Sequence, residues 1–156
     1  MIELSIPGHG DFVLNHAVLD VNGTLATDGR LLKSVEPRLI ALADKIELHL
    51  LTADTHGRQS EIDAQLKLVA TRVQPGNESA QKTEFVKSLG SESVIAIGNG
   101  ANDIGMLKAA ALGLAVLGEE GLSVEAMLAA DVLCPTIVDA LDMLLIPQRL
   151  RATLRR

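Results

Sequence analysis

Asp20-Val21-Asn22-Gly23-Thr24-Leu25 closes the apolar run Ala17-Val18-Leu19 and opens a Gly-Thr turn. A carboxylate where a buried strand runs out costs stability unless a site needs it there. In α/β folds the carboxyl ends of parallel strands are where ligands bind and chemistry is done. The stretch therefore predicts a central strand over Ala17 to Asp20, with Asp20 at its mouth as a functional group. Alone, Asp20 and Gly23 also suit an ordinary turn, so the surrounding chain decides between the two.

Upstream, Ile2 to Ile6 and Phe12 to Leu14 flank Pro7-Gly8-His9-Gly10, which predicts a hairpin. Downstream, Thr27-Asp28-Gly29 between Leu25 and Leu31-Leu32 predicts a small flap. Pro37 starts a helix whose apolar face holds Leu39, Ile40, Leu42 and Ala43. A strand over Ile46 to Leu51 then ends at Thr52-Ala53-Asp54. A helix from about Arg58 to Leu66 precedes a strand around Leu68 to Val73, and Asn77 or Ser79 caps a helix reaching Leu89-Gly90. Val94 to Ile97 is a strand ending at Gly98-Asn99-Gly100. A helix (Asp103 to Ala111), a strand (Leu112 to Leu117), a helix (Ser123 to Ala129) and a strand (Asp131 to Leu133) follow, then one long last helix from about Ile137. Strands alternating with helices predict an α/β fold, a doubly wound, mostly parallel sheet in three layers. With no repeat, linker or low-complexity tract, residues 1–156 are expected to form a single domain.

Composition narrows the function. Apolar residues make up 47% of the 156 but aromatics only 1%, Phe12 and Phe85, so the core must be aliphatic. The net charge is −6 and there is no Tyr or Trp, which removes both the phosphate-neutralising surface and the stacking platforms of nucleic-acid binders. Cys134 is the single cysteine, so no internal disulfide forms; beside Pro135 it reads as a small buried hydrophobe. Met1-Ile2-Glu3-Leu4-Ser5 lacks the basic and apolar regions of a signal peptide. No apolar run reaches the roughly 18 residues that span a bilayer. A soluble, cytoplasmic protein without membrane or nucleic-acid partners is the expectation.

Four segments carry chemistry, each at a strand end or a helix start. Asp20 could attack phosphorus and form an aspartyl-phosphate, a recognised covalent route. Thr52 and the backbone N–H groups after it could hold a phosphoryl oxygen, although a Thr there also suits a helix cap. Lys82 falls in the first turn of its predicted helix, where a cation opposes the helix dipole unless an anion sits nearby. Gly98-Asn99-Gly100-Ala101-Asn102-Asp103 combines glycines that admit a ligand with hard oxygen donors for a cation such as Mg²⁺. His56 lies near enough to reach a substrate but suits a solvated loop. His9, His16 and His49 are scattered without ligand spacing and receive no role.

In their order, these segments resemble the four motifs of the haloacid dehalogenase superfamily of phosphatases and phosphotransferases. The resemblance implies strand order 5-4-1-2-3, with the Ala17–Asp20 strand beside the Val94–Ile97 strand. It implies Asp20 as nucleophile and Mg²⁺ ligand, with Asn22 giving its backbone carbonyl to the metal. Thr52 and Lys82 would hold the phosphoryl group, supported by Gly23, Thr24 and Ala53. Asn99 and Asp103 would complete the metal site, with Asn102 behind them. The short spacings from Asp20 to Thr52 and from Thr52 to Lys82 leave no room for a cap domain. The Gly-x-Gly-x-Asn-Asp segment is most similar to the phosphorylation domain of P-type ATPases, and small soluble proteins of that kind are the nearest match. Without a nucleotide-binding insert or membrane segment, no ion pumping is expected. Capless relatives often form homo-oligomers; the final helix (Leu141, Leu144, Leu145) could serve core or interface, core being the plainer reading. Arg149, Arg151, Arg155 and Arg156 would complement a helix C-terminus.

Two residues depart from the family pattern. Asn22 stands where its phosphatases carry the Asp that donates and then accepts a proton, which Asn cannot do. General acid–base catalysis is worth about 10²–10⁴-fold, so slow turnover of poor leaving groups is expected. Asn99 replaces a usual metal-binding Asp, which predicts weaker Mg²⁺ binding. Both precede glycine, a context prone to deamidation. The expected function is Mg²⁺-dependent phosphohydrolysis or phosphotransfer on a small phosphorylated substrate. The alternative is a catalytically feeble phosphate- or metal-binding regulatory protein.

Overall fold

In the computed structural model, which describes residues 1–156, the run ending in Asp20 is a central strand. The hairpin of β1 (Ile2–Ile6) and β2 (Gly10–Leu14) comes first, then β3 (His16–Asp20). The flap is β4 (Ala26–Thr27) and β5 (Arg30–Leu31). The chain continues as α1 (Glu36–Ala43), β6 (Glu47–Thr52), α2 (Gln59–Leu66), β7 (Thr71–Arg72), α3 (Glu78–Ser88) and β8 (Val94–Gly98). It ends with α4 (Ile104–Ala109), β9 (Leu112–Val116), α5 (Val124–Ala129), β10 (Val132–Cys134), α6 (Ile137–Leu145) and α7 (Gln148–Leu154). No helix is long and apolar enough to cross a membrane.

Six strands pair in the order β10-β9-β8-β3-β6-β7, every pairing parallel. Counted by strand–helix units this is the expected 5-4-1-2-3 order with β10 added as a sixth strand outside the fifth. A parallel sheet must be covered on both faces, and β3 shows it. Ala17 and Leu19 join the larger apolar cluster, with Leu39 and Leu42 of α1 and Leu141 and Leu144 of α6. Val18 faces the other way, with Val86 of α3, Met106 and Leu107 of α4 and Ala126 of α5. Leu141 and Leu144 are thus core residues. No cap domain is present; only the flap stands above the strand ends.

Five expectations are corrected. The strand around Leu68 to Val73 shrinks to Thr71–Arg72, because β7 is an exposed edge whose Arg72 turns to Asp63 at 2.6 Å, and short charged edges resist further pairing. The last helix is two. Pro147 has no N–H and disfavours helical backbone at Ile146 (φ −124°, ψ 74°), so α6 stops and α7 restarts. The stretch from Asp103 begins as a 3₁₀ turn over Ala101–Asp103 and becomes α-helical at Ile104. Asn77 occupies the cap position of α3 without a side-chain cap bond, and Lys82 sits in the second turn rather than the first. Of the tail arginines, Arg149 reaches back to Asp142 at 3.7 Å, which also holds Arg38 at 2.7 Å.

Candidate active site

The turn after β3 folds tightly on itself. The Val21 carbonyl accepts from the N–H groups of Thr24, Leu25 and Ala26, and Gly23 N–H donates to the Ala26 carbonyl. Gly23 takes φ +79°, and a Cβ there would come within 2.5 Å of Asn99 Nδ2. Only glycine meets both demands. The turn brings the Thr24 hydroxyl back to Asp20 Oδ2 at 3.2 Å and to Asn99 Oδ1 at 3.0 Å.

Beneath that turn lies a buried ionic cluster. Lys82 is 0% exposed, and its Nζ lies 2.5 Å from Asp20 Oδ1 and 2.7 Å from Asp103 Oδ1. Its helix reads as a solvated one, yet this position faces β3, and the residue is no surface lysine. Burial pushes the Asp20 carboxyl up, the Asp103 charge adds to this, and Lys82 only partly opposes them, leaving Asp20 at about 7. Burial acts to lower the Lys82 ammonium, but the Asp20 and Asp103 carboxylates outweigh it and raise it above its ordinary value. Asp20 is only 4% exposed, so a reactant can meet it only along a narrow approach.

The glycine-rich loop after β8 is clamped by Asp103, whose Oδ2 accepts from the N–H groups of Asn99 and Gly100, each at 2.9 Å. A Cβ on Gly98 would meet Asp103 Cγ at 2.6 Å, and one on Gly100 would meet Asn102 Oδ1 at 2.5 Å. Asn99 is oriented by its Nδ2, which donates to the Gly121 carbonyl at 3.1 Å and leaves Oδ1 facing Thr24. The loop Gly118-Glu119-Glu120-Gly121 therefore belongs to the site's support, a contribution the sequence reading missed. Its signal was present: two glycines at the end of an apolar strand, just before the cap Ser123. Glu120 Oε1 also accepts from Asp28 N–H at 2.8 Å, tying the flap to this loop.

Thr52 is fully buried at the end of β6, and its Oγ1 accepts from Asp54 N–H at 2.9 Å and from Asn22 Nδ2 at 3.2 Å. The Thr52 hydroxyl proton stays free to donate, and the N–H of Ala53 makes no backbone hydrogen bond. The backbone N–H and C=O of Asn22 are likewise unengaged by backbone groups. The structure thus links Asp20, Thr24, Lys82, Asn99 and Asp103 directly, with Gly23 against Asn99 and Asn22 against Thr52. Ala53 follows Thr52, and Asn102 lies beside Gly100 of the loop after β8. His56 stays apart, exposed and packed on Gly29 of the flap.

The donor set suits a hard cation. The Thr24 hydroxyl has one proton yet lies within reach of both Asp20 Oδ2 and Asn99 Oδ1, so one of these oxygens keeps a lone pair uncommitted. With the free Asn22 carbonyl they make three oxygen donors, the ligand type Mg²⁺ prefers, and Asp103 adds a second carboxylate nearby. Two clefts flank the flap. One of about 530 Å³ is lined by Arg30, Lys33 and Arg58 with Asp28 and Glu119. The other, of about 590 Å³, runs from Gly23 and Thr24 past Lys33 to Pro135 and Thr136.

His16 and His49, unassigned in the sequence reading, are not scattered. Parallel pairing of β3 with β6 brings His16 Nδ1 within 3.1 Å of His49 Nε2, at the far end of β3 from Asp20.

Comparison with known proteins is consistent with this geometry. A family model described as haloacid dehalogenase-like hydrolase matches residues 77–124. An uncharacterised protein of Methanocaldococcus jannaschii is 43% identical over 84 residues, covering 51% of this chain and 90% of that protein. A probable phospholipid-transporting ATPase of Homo sapiens is 38% identical over 84 residues, 53% of this chain but only 7% of the ATPase. The solved 3-deoxy-D-manno-octulosonate 8-phosphate phosphatase of Moraxella catarrhalis, in complex with magnesium and phosphate ions, superposes with TM-score 0.69 at 17% identity. That match covers 89% of this chain and 90% of the phosphatase, a likeness of fold.

Proposed function

The chain belongs to the haloacid dehalogenase-like superfamily, and on that premise we propose that it is a Mg²⁺-dependent phosphohydrolase or phosphotransferase acting through phospho-Asp20. The observation that carries this reading is the burial of Lys82 against Asp20 and Asp103. A buried ion cluster is a poor way to stabilise a fold, but it suits a site built to receive a phosphoryl group. We take residues 1–156 as one such domain.

Asp20 attacks phosphorus, forming a carboxylate–phosphorus bond while the bond to the leaving group breaks and the leaving group takes its electron pair. Lys82, the Thr52 hydroxyl and the Ala53 N–H hold the phosphoryl oxygens. Water then attacks phosphorus, the bond to Asp20 breaks and returns its electron pair to the carboxylate, and the water's protons leave with the inorganic phosphate. When bound, Mg²⁺ held by Asp20, Asn99 and the Asn22 carbonyl, with Asp103 beside them, supplies positive charge against the gathered negative oxygens. The Asn22 amide is too weak an acid to give the leaving group a proton, so substrates with good leaving groups, acyl phosphates and anhydrides, are favoured. Arg30, Lys33 and Arg58 around the flap suit a small anionic phosphorylated substrate.

A second reading follows from Asn22, whose amide donates to the Thr52 hydroxyl and cannot shuttle a proton. On that reading the protein binds phosphate and metal as a regulator. Phosphate release from acetyl phosphate and an aryl phosphate with Mg²⁺, in the native protein, Asp20→Ala and Asn22→Asp, separates the two. Turnover of acetyl phosphate that vanishes in Asp20→Ala is the expected result. Inactive native protein with activity gained in Asn22→Asp would favour the regulator.

A further inference from the structure

We propose that His16, Glu47 and His49 form a second metal site, for a borderline transition-metal ion of the Zn²⁺ class, at the pole of the sheet opposite Asp20. His16 begins β3 and Glu47 begins β6, and the parallel register sets His16 against Glu47 and Val18 against His49. Residues two apart on a strand share a face, so all three side chains rise from the face that α3 covers. They are the one trio of His, Cys, Asp or Glu side chains in the chain whose ligand atoms converge, all within 4.8 Å of one another.

The distances match a coordination shell. His16 Nδ1 lies 3.1 Å from His49 Nε2 and 3.2 Å from Glu47 Oε2, and His49 Nε2 lies 3.8 Å from Glu47 Oε1. Ligands about 2.0–2.2 Å from a tetrahedral zinc ion stand about 3.3–3.5 Å apart. The trio therefore closes on a metal with little movement. Two imidazoles and a carboxylate are the donors Zn²⁺ takes where it keeps a fourth position open, whereas Mg²⁺ prefers oxygen alone. The His16 and His49 side chains are 21% and 16% exposed and Glu47 is 64% exposed, so the rings are held while the carboxylate side admits the ion and a water ligand. Phe85 of α3 packs edge-on against His49, with ring centroids 5.5 Å apart, and fixes that ring. Burial also holds the His49 imidazole below its usual pKa, despite Glu47, which keeps it in the neutral form a metal needs.

An ion here ties β3 to β6 and stabilises the folded chain by mass action. Calorimetric titration of chelator-treated full-length protein with Zn²⁺, in excess Mg²⁺ to occupy the oxygen-rich site, tests the proposal. One Zn²⁺ per chain is expected, raising Tm. Binding should weaken by more than about 100-fold in His16→Gln and His49→Gln, beyond the loss typical of outer-shell partners, and less in Glu47→Gln. Zinc X-ray absorption on the unmutated protein should count two imidazoles, a readout that needs no variant to fold. No saturable binding, binding unchanged in both histidine variants, or fewer than two imidazoles around the ion would overturn it.

Discussion

Lys82 Nζ lies 2.5 Å from Asp20 Oδ1, although the two residues are 62 positions apart and Lys82 has no exposed surface. The contact joins the second turn of α3 to the mouth of the central strand, and Asp103 completes it from the loop after β8. Removing the ammonium would leave two carboxylates buried without their cation. Breaking a buried pair from one side costs about 3–5 kcal/mol. Lys82→Met is expected to lose stability of that order in urea unfolding at pH 8. The loss should shrink at pH 5, where the carboxylates can take up a proton instead. An equal loss at both pH values would show that packing, not charge, makes Lys82 matter.

The same cluster sets a pH dependence. Asp20 titrates at about 7 in the fold, against 3.8 as its ordinary value, chiefly because it is buried and then because Asp103 repels its charge. Between those values the folded chain holds more protons than the unfolded one, so this group's contribution falls as pH rises and levels off above about 7. Asp20→Asn removes the titration. Its Tm advantage over the native chain should therefore grow from pH 4 to 7 and stay flat beyond. A difference independent of pH, measured by thermal melts without divalent metal, would contradict the raised value.

Asn22 bears on chemistry rather than stability. It is half-buried, holds one side-chain hydrogen bond to Thr52, and cannot shuttle a proton. Asn22→Asp is expected to raise kcat on an aryl phosphate by up to the 10²–10⁴-fold typical of general acid–base catalysis. Acetyl phosphate should gain less, because its leaving group departs without a proton and only the hydrolysis of phospho-Asp20, which both substrates share, can speed up. Equal gains on both substrates would mean that hydrolysis of phospho-Asp20, and not departure of the leaving group, limits the native protein.

What could be read from the chain and what could not divide along physical lines. Ala17 to Leu19 of β3 and the strands β8 and β9 are apolar runs because helices cover both their faces, and such runs are visible without any structure. β7 was overdrawn because Leu68, Val69 and Ala70 look strand-like, while pairing needs a partner that only Leu51 and Thr52 supply. Apolar spacing continues across Pro147 to the buried Leu150, so the segment reads as one helix although the proline divides it. Lys82 could be singled out but not seen as buried, since Glu78-Ser79-Ala80-Gln81 around it reads as a wet helix. The His16–His49 contact was beyond reach, because it exists only through the register of two strands more than thirty residues apart.

Both Asn-Gly pairs illustrate how the fold overrides a local rule. Asn22-Gly23 and Asn99-Gly100 read as sites of spontaneous deamidation, which requires the glycine nitrogen to attack the preceding side-chain carbonyl. In the folded chain Gly23 N–H is bonded to the Ala26 carbonyl and Gly100 N–H to Asp103 Oδ2. The Asn99 amide is itself held by Gly121 and Thr24, and Asn22 by Thr52. Neither nitrogen is free to attack without breaking these bonds. Native protein incubated at pH 8 is therefore expected to show no mass gain at either asparagine, while the same protein in urea deamidates at both. Mass gain in the native sample, located by peptide mapping to Asn99, would mean that the loop after β8 opens far more often than its hydrogen bonds imply.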